Sequence, residues 1–338
     1  MLNWYYQSGK ESDVVMSTRI KISRNIAGIP FVARFNNLQA RSILNKLEQA
    51  ITPANYGLKM FNLKNIDDLT RKSLAEKHIV TPKYINSDIE NKAILINDDE
   101  NICIMLNEKE HLEIQVLASG LELENSLSLA MEIEDKLDRE LKFSYNEKYG
   151  YLTSSPTNLG TGLRASAIVH LPGLTKTQNI SKMLEAVNNL GMNIRSVYND
   201  ENRAKSNMYQ ISNKQTLGIS EKDIVKNLKA ILDKIIEQER LARKILTKNE
   251  IELEDKLYRS YGIMANARKI SSDEMTKLIS DVRLGVDMGI INEMTDLKVN
   301  KLEILSKPAN LQKYFGENLD IFDRDIKRAE LVKKILSE

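Results

Sequence analysis

The stretch Asn158-Leu-Gly-Thr-Gly162, with Arg164 two residues on, combines residue types suited to holding an anion. Glycines in a short loop let backbone N–H groups face a ligand, and a guanidinium just after them is a fixed cation. A phosphate is the anion this combination suits. Other candidate groups are ambiguous taken singly. Arg19 and Arg24 read as ordinary surface cations, and His78 as readily structural as binding. His170, in the apolar run Ala167-Ile-Val-His170, reads as a satisfied core histidine. Cys103, in Ile102-Cys-Ile-Met-Leu106, reads as a buried core residue rather than a nucleophile. No Cys or His spacing suggests a metal site, and no Ser-His-Asp arrangement suggests a hydrolase.

The elements that must position these groups follow from periodicity. Leu38, Ile43, Leu44, Leu47 and Ile51 recur at helical spacing over 36–51. Residues 93–96 form a short apolar run of strand length. Ile102, Ile104 and Leu106, then Leu112, Ile114 and Val116, alternate with period two. The polar gap 97–101 predicts a hairpin. Helical spacing returns over 121–140, strands over 163–171, 192–198 and 207–212, and a helix over 176–190 ends at Gly191. Ser220 with Asp223 caps a long helix over 220–246. Beyond it the chain reads as helical, near 253–268, 272–289, 299–306 and 323–337. The fold class is α+β, an antiparallel sheet flanked by helices and followed by an all-helical domain. The domains are 1–245 and 246–338.

Composition narrows the class. A chain of 338 residues is long enough for two domains and a large core. A net charge of +2 implies no nucleic-acid or membrane partner. One cysteine excludes an internal disulfide and fits a reducing compartment. No apolar run approaches ~20 residues and no signal peptide is apparent, so the expected location is cytoplasmic.

Several ordered segments resemble the ATP:guanido phosphotransferases (phosphagen kinases), and within them the McsB-type protein arginine kinases. They are Ser12 to Asn25, Glu76-Lys-His-Ile79, Met105 to His111, Gly150 to Pro172, Gln210-Ile-Ser-Asn213, Ile251 to Gly262 and Ser280 to Gly285. Arg324-Asp-Ile-Lys-Arg-Ala329 is similar to that branch's RDxxRA motif. The resemblance implies a phosphagen-kinase-like catalytic domain and a helical dimerisation or regulatory domain. It implies transfer of the γ-phosphoryl group of ATP, with Mg²⁺, to arginine side chains of proteins. A guanidinium is a poor nucleophile, so a carboxylate must orient it and accept a proton.

Carried onto this sequence, the resemblance implies an ATP site at Ser17, Thr18, Arg19, Lys21, His78, Glu113, Arg164, Ala165, Ser166 and Arg195. It implies catalytic positions at Lys109, Ser155 and Asp200, and a substrate loop of Ser196, Val197, Tyr198, Asn199 and Asp200. An allosteric phosphoarginine site would comprise Arg324, Asp325, Arg328 and Ala329. Several of these depart from the pattern. Lys21 replaces an arginine, Ser155 a reactive cysteine and Asp200 a glutamate, and both glycines of the substrate loop are gone. In Asn107-Glu-Lys-Glu-His-Leu-Glu-Ile114, Lys109 stands for the catalytic glutamate and Glu113 for a nucleotide-binding arginine. A lysine ordinarily keeps its proton to about pH 10. If 107–116 runs as a strand, residues 109 and 113 share a face about 13 Å apart, with their charges exchanged. Lys109 would then reach a phosphate, and Glu108 or Glu110 would serve the guanidinium. The departures make a catalytically impaired, phosphoarginine-binding or regulatory subunit the alternative to an active kinase. The expected partners are proteins with exposed arginine, a zinc-binding activator protein, a Clp unfoldase and further copies of the chain. A heat-shock repressor is a further implied substrate.

Overall fold

The computed structural model describes residues 3–34, 36–51, 56–197 and 206–338. The strands are β1 (Val15–Arg24), β2 (Lys59–Asn62), β3 (Ala93–Ile96), β4 (Ile102–Leu106), β5 (Leu112–Ser119), β6 (Tyr145–Asn146), β7 (Gly150–Tyr151), β8 (Leu163–His170), β9 (Met192–Ser196) and β10 (Met208–Asn213). The helices are α1 (Asn37–Ile51), α2 (Asp68–Glu76), α3 (Pro82–Asn86), α4 (Leu123–Leu141), α5 (Pro172–Lys176), α6 (Ile180–Asn189), α7 (Glu221–Leu246), α8 (Glu250–Asn266), α9 (Ser272–Asp287), α10 (Asp296–Leu305), α11 (Pro308–Phe315) and α12 (Ile321–Ser337). Eight strands form one antiparallel sheet in the order β2-β3-β4-β5-β1-β8-β10-β9, and β6-β7 is a separate hairpin.

Strand alternation gives the sheet two unlike faces. Ile20 and Ile22 of β1, Ile114 and Val116 of β5 and Ala165 and Ala167 of β8 face the main core, against α1, α4, α6 and α7. Each fully buried Leu or Ile there contributes roughly 1.5–3 kcal/mol. On the opposite face, Ile94, Ile96, Cys103 and Met105 pack under α2 and α3. The rest of that face, on β1, β5, β8, β10 and β9, carries polar and charged side chains around Arg19, with Ile168 and Met208 at one end. Helices α8–α12 enclose a third core of their own. Among the described residues, no helix is long and apolar enough to cross a membrane.

The structure alters several sequence expectations. Residues 107–111 are a turn, with Asn107 at φ +59°, and β5 begins only at Leu112. Lys109 and Glu113 therefore do not share a strand face. The helix expected over 176–190 starts later, as α6 at Ile180; Lys176 instead ends the separate short helix α5, with Gln178 between the two at φ +60°. Pro at the first position of α11 starts a short helix that periodicity missed. Arg24 is buried rather than on the surface. It pairs with Glu134 of α4 at 2.7 Å and lies over the Tyr151 ring.

Candidate active site

Three successive rungs of the β1–β8 ladder build the polar face. Lys21 stands opposite Arg164, Arg19 opposite Ser166, and Ser17 opposite Ile168. The sheet continues through Ser212 beside Ser166, and Gln210 stands opposite Arg195 on the edge strand β9. Gln210 Oε1 accepts from Arg195 Nε and Nη2 at 3.0 and 2.7 Å, which aims this exposed guanidinium. Three guanidinium groups thus gather on one surface. Burial, then the Arg195 charge, pushes Arg19 down to about 10, and the same two causes lower Arg164. Mutual repulsion of this kind is relieved by an anion.

Arg19 is held from a second side. Its Nη2 donates to the carbonyl of His78 at 2.6 Å, and His78 sits at φ +62° just after α2. Burial, then the charges of Lys307 and Arg19, keeps His78 well below the usual imidazole range, so it is neutral at pH 7. Lys307, from the helical domain, donates to the Glu76 carbonyl at 3.0 Å, with its Nζ 3.4 Å from His78 Nε2. The Glu76 carboxylate accepts the backbone N–H groups of Ala309 and Asn310, capping α11.

At the other end of the polar face, Glu113 is fully buried and its Oε2 lies 2.8 Å from Lys21 Nζ. Glu108 packs against it. One buried oxygen of each, Oε2 of Glu108 and Oε1 of Glu113, receives no donor from another residue. Burial, then the Glu113 charge, pushes Glu108 up to about 7. Burial opposes ionisation of Glu113, but Lys21, the bond to Glu108 and Lys109 outweigh it, and Glu113 stays a carboxylate.

Lys109 is exposed at the tip of the turn, and Ser154 Oγ donates to its carbonyl at 2.9 Å. The turn is tied to the loop carrying Ser155 through Glu110. Its fully buried carboxylate accepts from Asn25 Nδ2 at 2.7 Å and from the N–H groups of Ser154 and Ser155 at 2.8 and 3.1 Å. Glu110 is thus committed to the fold and unavailable to a guanidinium. Ser155 Oγ lies 2.9 Å from Thr157 Oγ1.

The glycine loop does not cradle a phosphate as expected. The N–H groups of Asn158, Leu159, Gly160 and Thr161 bond to the carbonyls of Ser155, Pro156, Tyr151 and Thr216. Its glycines serve close packing instead. A Cβ at Gly160 would lie 2.3 Å from the Thr216 carbonyl, and one at Gly162 would lie 2.6 Å from Arg24 Nη1.

Of the other sequence-predicted residues, Thr18 and Ala165 face away from the cations. Thr18 Oγ1 accepts from Glu122 N, and Ala165 N donates to Asn213 Oδ1. Ser166 accepts from Gln210 Nε2 on the polar face. Ser196 ends β9, and Val197 N–H reaches the Met208 carbonyl. Tyr198, Asn199 and Asp200 lie outside the described residues. Arg328 is buried and donates to the Ser306 and Ile270 carbonyls, Asp325 Oδ1 and Ser272 Oγ. Ala329 is buried beside it, and Arg324 is half-buried. His170 is in the core as expected, with Nε2 2.9 Å from Ser280 Oγ, though its Nδ1 has no partner. Sequence reasoning missed the roles of Glu76, Glu110 and Lys307, which depend on contacts far apart in the chain.

The antiparallel sheet flanked by helices is shared with phosphagen kinases. Lombricine kinase shares it at a TM-score of 0.61 and 22% identity, over 69% of this chain and 68% of that one. The substrate-free duplicated taurocyamine kinase from Schistosoma mansoni shares it at 0.59 and 24% identity, over 69% and 35%. The family described as ATP:guanido phosphotransferase, C-terminal catalytic domain, matches residues 40–242. The protein-arginine kinase McsB C-terminal domain matches residues 250–338. The protein-arginine kinase of Halothermothrix orenii is 42% identical over 337 residues, covering 99% of this chain and 96% of its own. That of Bacillus subtilis (strain 168) is 41% identical over 339 residues, covering 99% and 93%. The chain belongs to the protein-arginine kinase family of ATP:guanido phosphotransferases.

Proposed function

We propose that this protein binds Mg-ATP on its arginine-lined sheet face and transfers the γ-phosphoryl group to arginine side chains of proteins, with a strongly attenuated transfer step. In the reaction an N–P bond forms at the acceptor guanidinium, the β–γ P–O bond breaks, ADP leaves, and the guanidinium gives up a proton. The observation that carries the reading is the convergence of Arg19, Arg164 and Arg195 on one face, with their mutual repulsion awaiting an anion. Mg²⁺ would arrive on the triphosphate and offset its charge.

Attenuation follows from the two exchanged charges. Lys109, at the exposed tip of its turn, puts an ammonium group where a guanidinium needs a carboxylate acceptor. Glu113 neutralises Lys21 and faces the phosphates with a negative charge. Losing a general base typically costs ~10²–10⁴-fold in rate. The second reading, a regulatory subunit that binds phosphoarginine or pairs with other copies, is favoured by the same Lys21–Glu113 pair.

The test is acid-labile, arginine-linked phosphate formed from labelled Mg-ATP on an unfolded model protein. The natural chain is run beside Lys109→Glu/Glu113→Arg. Slow turnover that the double variant raises by about 10² or more supports the proposal. Rapid turnover by the natural chain would show that no attenuation exists. Silence in both overturns the kinase reading.

A further inference from the structure

The cation-bearing rungs do not end at open solvent. One rung beyond Arg19, about 7 Å along the strand, the Ser17–Ile168 pair floors a cleft that also includes Met208. One wall is the N-terminal segment, with Trp4 and Tyr5 set edge to face at 5.6 Å. The opposite wall comes from the helical domain: Arg283 of α9 and Asn300, Glu303 and Ile304 of α10. His78, which holds Arg19, lines the same cleft.

This cleft has an apolar floor, an aromatic wall and a carboxylate on the facing wall. Arg283 Nη2 orients that carboxylate by donating to Glu303 Oε2 at 2.7 Å, and also donates to Asn300 Oδ1 at 2.8 Å. The buried Nε of Arg283 has no partner. Asn300 Nδ2 reaches the Tyr6 and Gln7 carbonyls, which joins the two walls. A flat base beside aromatic rings, with hydroxyls or an exocyclic amine donating to a carboxylate, is the complementary ligand.

We infer that the helical domain completes the nucleotide site, supplying through Asn300, Glu303 and Arg283 the wall against which the nucleoside end of ATP lies. The inference rests on the proposed nucleotide-binding function and adds to it that the helical domain senses nucleotide directly. Binding and domain docking are then linked, because a ligand that touches both walls favours their contact.

Trp4 is the sole tryptophan of the chain and lies on the wall, so it reports occupancy without mutation. The full chain is titrated with ATP and with inorganic tripolyphosphate, following Trp4 emission and binding heat in parallel. Both ligands should bind, with ATP alone changing Trp4 emission. Glu303→Gln, which keeps an acceptor for Arg283, should weaken ATP about tenfold, as loss of a charge-assisted hydrogen bond does, and leave tripolyphosphate unchanged. ATP heat without a change at Trp4 overturns this inference and leaves the kinase reading intact. An equal loss for both ligands in Glu303→Gln overturns the helical domain's part. Absence of ATP binding overturns both readings.

Discussion

Lys21 Nζ lies 2.8 Å from Glu113 Oε2, on the sheet face that also bears Arg19 and Arg164. A cation that would meet a phosphate is thus engaged before any nucleotide arrives. Glu113→Gln removes the competitor and should tighten ATP binding by about 10–100-fold, given charge terms of ~4 kcal/mol at 4 Å before screening. The same change strips a partly buried lysine of its partner and should cost about 1–3 kcal/mol of stability, below the loss at fully buried pairs. Calorimetric ATP titration and urea unfolding should move in opposite directions. Weaker ATP binding in Glu113→Gln would refute the antagonism.

Glu108, half-buried beside the Glu113 charge, predicts a pH dependence of stability. Glu108 is raised to about 7 in the fold, well above an ordinary glutamate. Between about pH 4.5 and 7 the folded state therefore holds a proton that the unfolded chain has released. Stability from this group is fully present below that window and is lost as pH rises through it. Asp287, also raised to about 7 by burial, acts in the same direction. Glu113 is depressed and acts oppositely, its contribution falling away in acid. Thermal midpoints from pH 5 to 8 should fall less steeply in Glu108→Gln than in the natural chain. Identical slopes would count against the acid pair.

Glu110 makes a prediction of another kind. Its buried carboxylate receives three donors and fastens the Lys109 turn to the Ser155 loop. Glu110→Ala strands three donors, the Asn25 amide fully buried among them, and should destabilise the protein by about 2–4 kcal/mol. Glu110→Gln should recover only part, because its amide turns a donor toward N–H groups. Urea midpoints for the two variants check the ranking, and equal stability to the natural chain would refute the account.

The two arginines of 324–329 should separate. Arg328 has its guanidinium spent on two carbonyls, a carboxylate and a hydroxyl, at two helix junctions and on its own helix. Arg328→Ala should lower stability by about 3–5 kcal/mol. Arg324 is half-buried and makes one backbone contact, Nε to the Asp320 carbonyl at 3.2 Å, so Arg324→Ala should stay within about 0.5 kcal/mol. A phosphoarginine-binding assay is therefore interpretable with Arg324→Ala. Large unfolding by that variant would show a structural role that its contacts do not predict.

The sheet was legible because period-two alternation survives in Ile102 to Val116 and in 163–170, and the cations share that period. Alternation also explains why Arg19 and Lys21 meet Arg164 while Thr18 and Ala165 turn away. The turn at 107–111 was not legible because Leu106 and Leu112 flank a charged stretch with no proline or glycine to mark it. The turn is closed by the hydrogen bond from Asn107 N to the His111 carbonyl and held from outside by Asn25. The glycine loop was misjudged for a related reason. A sequence shows that backbone N–H groups exist near Gly160, but not that Thr216, over fifty residues on, accepts one of them. Glu76 and Lys307 are 231 residues apart, and no local pattern predicts such a pairing.

The contacts between the two halves are spread along the chain. Asn300 meets residues 6 and 7, α11 meets Glu76, Ser280 meets His170, and Asp281 meets Lys176 at 2.9 Å. The peptide connection at 247–249 is therefore one restraint among many, and its main effect is to raise the local concentration of one half around the other. A protease cut there would leave every one of these contacts in place. In that sense the molecule is a heterodimer that happens to be encoded as one polypeptide.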